Sequence, residues 1–365
     1  MLGVAAVLFT SPQVPILLSE GYPPAVLADF AAGYMKVAGG DARLERGEIR
    51  PVTPRLAELI ARSGGEALLV VQKGNVTVED FAPGYHRATA FNSFSMVKSL
   101  VGALVLKALA EGKIASLDQP LGELLPASAT SEAGQVTVRE LLDMTSGIDF
   151  EPRSMKQMSG FEEQPFEAWP YNPFGPLARL HALGIDAVLP GLRVSQSARG
   201  KFLYQNVNTA LLGAMLEERY QKPLAYLLSE KIWRPAGAAE AHWRSYPASG
   251  KTTPYCCLFA GVDDWALVAL YLMKNGSVAP FLPDELWRYW IGADIDAAGR
   301  AHGAYRSHMR YDILDRAGEK LAGPFAYFVG QGGQMVLIKP DDDLVVVRFG
   351  EDLQLLHSTL YEAVK

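Results

Sequence analysis

The sequence predicts an α+β fold: an antiparallel β-sheet flanked by helices, carrying a mostly helical inserted subdomain. Three observations predict it. Short apolar runs bounded by turn residues lie near both ends of the chain, a long block of helical apolar spacing lies between them, and no Pro/Ser/Gly-rich tract, charge block or repeat divides the whole. Strands contributed from both ends must share one sheet, which makes the helical block an insertion. The expected division assigns 1–94 and 251–365 to the sheet-bearing subdomain and 95–250 to the helical one, with a cleft between them as the place for a site.

In chain order, Met1 to Ser19 is apolar but lacks a basic residue and is interrupted by Pro12 and Pro15, so a signal or anchor remnant is not the default reading. The run Ala67 to Val71, the turn residues Lys73, Gly74 and Asn75, and a second run from Val76 predict a hairpin. From Ser95 to Glu111, Val97, Leu100, Val101, Leu104, Val105, Ala108 and Leu109 recur at helical spacing and cover much of the circumference. A buried helix stopped by Gly112 is expected there.

Thr137 with Glu140 forms a capping-box pattern opening a helix from Val138 to Met144, which halts at Ser146-Gly147. Residues 151–200, rich in Pro, Gly and aromatics including Trp169, Tyr171 and Phe174, predict a long ordered loop over the cleft, or else a purely structural wrap. Helices fit Asn206 to Arg219, Leu224 to Trp233 and Asp263 to Lys274, the last ended by Asn275-Gly276. The strands Phe325 to Val329, Gln334 to Ile338 and Leu344 to Phe349 follow.

Composition narrows the function classes. A chain of 365 residues that is 49% hydrophobic and 20% charged buries a large core. With 34 basic against 40 acidic residues, its net charge of -6 opposes binding to phosphate backbones or anionic membranes, so nucleic acid is not an expected partner. No stretch approaches the roughly 20 uninterrupted apolar residues of a membrane span, and a soluble protein is expected. Cys256 and Cys257 are adjacent and poorly placed to bond each other; read as small, buried, reduced residues, they lean toward the cytoplasm rather than the periplasm. The six histidines show no metal-ligand spacing, and neither a Gly-x-Ser-x-Gly elbow nor a nucleotide-binding glycine fingerprint is present, so no metal or organic cofactor is expected.

Three motifs carry chemistry. Ser95-Met96-Val97-Lys98 opens the buried helix, which sets a hydroxyl and an amine one turn apart on one face. Burial disfavours the ammonium form, so Lys98 can act as a base toward Ser95, while the helix N-terminus favours negative charge nearby. The bland alternative is an N-cap serine with a solvated lysine. Tyr204-Gln205-Asn206 opens a second helix: a tyrosine near a cation can relay a proton, and the Asn206 amide can orient a lysine or a substrate carbonyl. An interfacial tyrosine with an asparagine cap is the alternative. Gly330-Gln331-Gly332-Gly333-Gln334 leads into an apolar strand, where glycines admit a close approach by a ligand; the N–H of Gln334 paired with that of Ser95 would form an oxyanion hole. A simple turn or bulge competes.

In this order, the motifs resemble the serine β-lactamase and penicillin-binding-protein superfamily, in its class C-like branch, over residues 64 to 350. Val136 to Ile148 resembles the family's Thr-x-x-x-Leu-Leu segment followed by Ser-Gly, and Ile232 to Gly237 its Trp-x-Pro-x-Gly turn. Cys256-Cys257-Leu258 through Asp264-Trp265, Asn275-Gly276, Ile338-Lys339-Pro340 and Val345-Val346-Val347-Arg348 resemble the 6-aminohexanoate-dimer hydrolases and related carboxylesterases.

The resemblance implies a β-lactamase/transpeptidase-like fold, acylation of Ser95, a base role shared by Lys98 and Tyr204, and hydrolysis of the acyl-enzyme by water. The expected substrate is a small linear amide or ester, bound with help from Gln331, Gly332 and Gly333 and from Trp169 and Tyr171. Where β-lactamases carry Lys-Thr-Gly, this chain has Gln331-Gly332-Gly333. A neutral Gln forgoes a charged hydrogen bond to a substrate carboxylate worth roughly 1.5–3 kcal/mol. The alternatives are a β-lactamase or D-Ala-D-Ala carboxypeptidase and, from another class, a catalytically silent binding homologue.

Overall fold

The structure, a computed structural model, describes residues 11–19, 33–150, 173–301, 303–311, 314–316, 319–321, 325–351 and 356–364. The chain divides into two compact units, each assembled from separate stretches. One unit comprises Lys36–Glu111, Ala225–Ala241 and Cys256–Lys365, the other Met1–Met35, Gly112–Leu224 and His242–Tyr255.

The first unit is built on an eight-stranded sheet. Its strands are β1 (Glu45–Arg46), β2 (Gly65–Gln72), β3 (Asn75–Phe81), β4 (Ala304–Arg306), β5 (Met309–Tyr311), β6 (Ala326–Gly330), β7 (Gln334–Lys339) and β8 (Leu344–Gly350), in the spatial order β1-β3-β2-β8-β7-β6-β5-β4. All neighbours with a described register are antiparallel except β1 with β3, so the α+β class holds. Strands from both ends of the chain meet in the middle, where β2 pairs with β8 and Val70 lies opposite Val346. Ala67 to Val71 and all of β8 are buried, as apolar runs covered on both faces require. The β2–β3 turn, Lys73-Gly74, has positive φ at both residues (52° and 80°), the conformation that lets a two-residue loop follow the strand twist.

Helices cover this sheet. Val262–Met273 packs on β2, β7 and β8, and Val97–Ala110 lies against β6 and helix Asp284–Ile291. The tip of the β4–β5 hairpin, Ser307 and His308, seats on Val97–Ala110 at Gly102, where any β-carbon would overlap the carbonyl oxygen of Ser307. The Ser99 hydroxyl donates to the His308 carbonyl there at 2.5 Å.

The second unit is mostly helical. Helix Asn206–Tyr220 is its buried axis, with Val207, Ala210, Leu211, Leu212, Met215 and Leu216 inaccessible. Helix Val138–Leu142 begins at the expected capping box: the Thr137 amide donates to Glu140 Oε2 at 2.8 Å, and the Glu140 amide donates to Thr137 Oγ1 at 3.2 Å. Part of the stretch expected to be a loop is helical instead. Within 173–200, Pro176–Leu183 and Ile185–Val188 are helices, because Leu180 and Ala182 face inward while Pro176 starts the first helix and Gly184 ends it. Residues 151–172 lie outside the described residues. No described helix is long and apolar enough to cross a membrane.

His181, in helix Pro176–Leu183, is buried with its Nδ1 3.3 Å from the Tyr255 hydroxyl. Burial, reinforced by the neighbouring Arg244 cation, holds its imidazole well below the usual histidine value of 6.5. The folded state keeps His181 neutral, whereas the unfolded chain takes up a proton as pH falls below about 6.5. Its contribution to stability is therefore complete above that pH and declines below it. The unfolding free energy from urea denaturation should fall more between pH 7.5 and 5.5 for the parent than for His181→Gln, by up to about 1.4 kcal/mol per pH unit below about 6.5. Equal acid sensitivity in the two proteins would contradict this.

Candidate active site

Ser95 lies in a 3₁₀ turn, Phe94–Met96, which runs into helix Val97–Ala110; it is not in the first turn of the α-helix itself. The preceding backbone is tightly held. The Ser93 amide donates to the Leu258 carbonyl at 2.9 Å, the Leu258 amide to Ser93 Oγ at 3.0 Å, and the Phe94 amide to Asn92 Oδ1 at 2.9 Å. These bonds sustain a positive φ of 44° at Phe94, a conformation that a non-glycine residue keeps only when its surroundings impose it.

Lys98 Nζ donates to Ser95 Oγ at 2.8 Å. Lys98 is 2% exposed, whereas Ser95 is only partly buried. The amine is thus enclosed and the hydroxyl reachable, which is the asymmetry a base and its nucleophile need.

The Gly330–Gln334 motif forms the β6–β7 connection, in the same unit. Gly330 lies opposite Gln334, and Gln331–Gly333 make the tight connection between them, in which Gly332 and Gly333 both have positive φ, 77° and 78°, outside the helical region. The end of β6 rests on the nucleophile segment: a β-carbon at Gly330 would overlap the Ser93 carbonyl oxygen and lie 3.2 Å from Phe94 Cβ. Gln331 is exposed. Gln334 is buried, and its side chain is committed to the sheet: Nε2 donates to the Gly350 carbonyl at 2.6 Å, and the Gly350 amide donates to Oε1 at 3.0 Å. Only the main-chain N–H of Gln334 bears on an oxyanion role.

Tyr204 and Asn206 belong to the helical unit. Tyr204 is 6% exposed and Asn206, the first residue of helix Asn206–Tyr220, is 8% exposed. Their stretch of chain is anchored to the Ser146-Gly147 turn region, where the Leu203 amide donates to the Met144 carbonyl at 2.8 Å and Gln205 Nε2 donates to the Ile148 carbonyl. Ser146 Oγ in turn donates to Asn208 Oδ1 at 2.7 Å. Trp169 and Tyr171 lie outside the described residues. Among the described residues, no group of three or more His, Cys, Asp or Glu side chains is arranged to hold a metal ion.

One expectation is corrected beside Ser95. Cys256 and Cys257 are bonded to each other rather than separate thiols, with Cα atoms 3.7 Å apart. Cys257 has a φ of 70°, and its amide donates to the Phe94 carbonyl at 3.3 Å; this local reversal of the chain brings neighbouring sulfurs together, which residue spacing alone does not reveal.

The sequence matches the β-lactamase family over residues 53–349, and the chain belongs to that family. Its fold is also that of several solved structures. A Bacillus anthracis protein described as a 6-aminohexanoate-dimer hydrolase superposes with a TM-score of 0.71 at 19% identity, covering 91% of this chain and 89% of the other. EstCE1, a hydrolase with promiscuous acyltransferase activity, gives 0.60 at 15% identity over 84% of this chain and 98% of its own. The octameric penicillin-binding protein homologue from Pyrococcus abyssi gives 0.58 at 16% identity, with coverages of 85% and 75%.

Replacing Gly330 by Ala should force the strand end away from Ser93 and lower the unfolding free energy by about 1–3 kcal/mol, measured by urea denaturation. Gly191, which has nothing within 4 Å of a would-be β-carbon and no positive φ, is the control site for an added methyl group. A Gly330→Ala protein no less stable than Gly191→Ala would show that the close approach to Ser93 is not sterically enforced.

Proposed function

We propose that this protein is a serine hydrolase that cleaves linear amides or esters through an acyl-enzyme on Ser95. The observation that carries the reading is the 2.8 Å contact between a partly exposed hydroxyl and a buried amine, Ser95 and Lys98. In the amine's neutral form, Lys98 takes the Ser95 proton as Oγ attacks the substrate carbonyl carbon. Tyr204 shares this base role and relays the proton to the departing amine or alcohol. The oxyanion would rest on the N–H of Ser95 and on the Gly330–Gln334 turn, with Gln334 as the donor named from sequence. Water then attacks the acyl carbon, releasing the acid and returning the proton to Ser95. Asn206 orients the substrate carbonyl or Lys98, and no metal or organic cofactor takes part.

The neutral, exposed Gln331 supports a linear amide or ester over a substrate anchored by its carboxylate. The names of structural relatives support the same class: besides the two hydrolases above, a D-stereospecific amidohydrolase from Streptomyces shares the fold at a TM-score of 0.57.

A fluorophosphonate should label Ser95, identified by mass spectrometry, and Ser95→Ala should abolish turnover of p-nitrophenyl butyrate with its circular dichroism spectrum unchanged. Lys98→Ala and Tyr204→Phe should each lower kcat by about 10²–10⁴-fold. An unlabelled Ser95 would favour a catalytically silent binding protein. Turnover of a chromogenic cephalosporin as fast as that of the ester would favour a β-lactamase or D-Ala-D-Ala carboxypeptidase.

A further inference from the structure

Arg348, on β8, lies opposite Met335 of β7 and is 1% exposed. A guanidinium is charged at every accessible pH, and in the interior it is tolerated only where hydrogen bonds are arranged around it. Two of its bonds are unusual in their target. Nη1 donates to the carbonyl oxygens of Gly332 and Gly333, at 2.9 and 2.7 Å. On its other side, Nη2 donates to the Ser63 carbonyl at 2.6 Å and to Ser63 Oγ at 3.1 Å, which ties it to the end of helix Pro54–Arg62. Glu66, half-buried nearby, feels the same cation, which works against the burial that raises its carboxyl above the ordinary value.

Two consecutive glycines with positive φ form the most permissive kind of backbone, with no side chains of their own to select one conformation. The order of this turn must come from outside. A trans peptide is planar, so holding the carbonyls of Gly332 and Gly333 on Arg348 also sets the amide planes that follow, with the N–H groups of Gly333 and Gln334 directed the opposite way. The turn continues directly from Gly330, whose α-carbon lies against Ser93. A lysine would keep the charge but cannot hold two carbonyls with one planar fork, and a methionine would keep only the volume.

From this arrangement we infer that Arg348 is a positioning residue for catalysis: it never touches substrate, and it fixes the peptide planes of the Gly330–Gln334 turn beside the nucleophile. The inference rests on the acyl-enzyme reading given above and deepens it.

Arg348→Lys and Arg348→Met in the full chain test it. Steady-state kinetics on p-nitrophenyl butyrate and hydrogen–deuterium exchange by mass spectrometry are measured together, with fluorophosphonate labelling of the parent as the check on the acyl-enzyme reading itself. Both variants should lose kcat by on the order of tenfold to a hundredfold with little change in KM. Exchange should quicken in the peptide containing residues 330–334 and, because Ser63 shares the guanidinium, around residue 63, but not in the rest of the sheet. Should Arg348→Met fail to fold, Arg348→Lys alone carries the test. Parental exchange in that peptide overturns the inference whatever the activity, as does quickened exchange with parental kcat. A fall in kcat matched by a lower folded fraction and by exchange raised throughout the sheet would show a structural role only, and also overturns it. A parent that is not labelled at Ser95 refutes the acyl-enzyme reading instead.

Discussion

The contact between Ser95 and Lys98 depends on a helix whose first turns solvent does not reach. Helix Val97–Ala110 is apolar on nearly every side, and burying it withdraws Lys98 from water along with Val97, Leu100 and Val101. An amine in such surroundings is costly unless it has a hydrogen-bonding partner, and the Ser95 hydroxyl is one. The sheet, the Gly102 seat for the β4–β5 hairpin and the strained turn at Phe94 keep that helix enclosed while Ser95, in the turn before it, stays partly exposed.

Much of this was legible from residue types. The β2–β3 hairpin, the three C-terminal strands, the capping box at Thr137 and the helix from Asn206 lie where periodicity and punctuation put them, because in each case local preference and tertiary burial agree. The Ser95–Lys98 contact was legible for the same reason: two residues three apart on a helical path meet wherever the path is formed. The helix Pro54–Arg62 was missed although Thr53 caps it and Pro54 occupies its first position, a signal that only its short apolar stripe obscured.

Other features had no local signature. The bond between Cys256 and Cys257 depends on a left-handed backbone at Cys257, held by a carbonyl from the distant Phe94. Arg348 reads in sequence as one polar residue within an apolar strand, and its interior placement follows from the carbonyls of Gly332, Gly333 and Ser63 that surround it. The side chain of Gln334, at the head of an apolar strand, spans the sheet to Gly350. In each case the decisive partner comes from another segment of the chain, beyond the range of a periodicity argument.

The pairing of β2 with β8 also constrains how the protein is made. Val70 cannot meet Val346 until the chain has been made past that residue, so β2 and β3 emerge as a lone hairpin without the strand that completes them. Topologies dominated by such distant pairings fold slowly and leave apolar strand edges open to association in the interval. Biosynthesis of this chain should therefore depend on chaperone capacity that covers the waiting hairpin until β8 has been made.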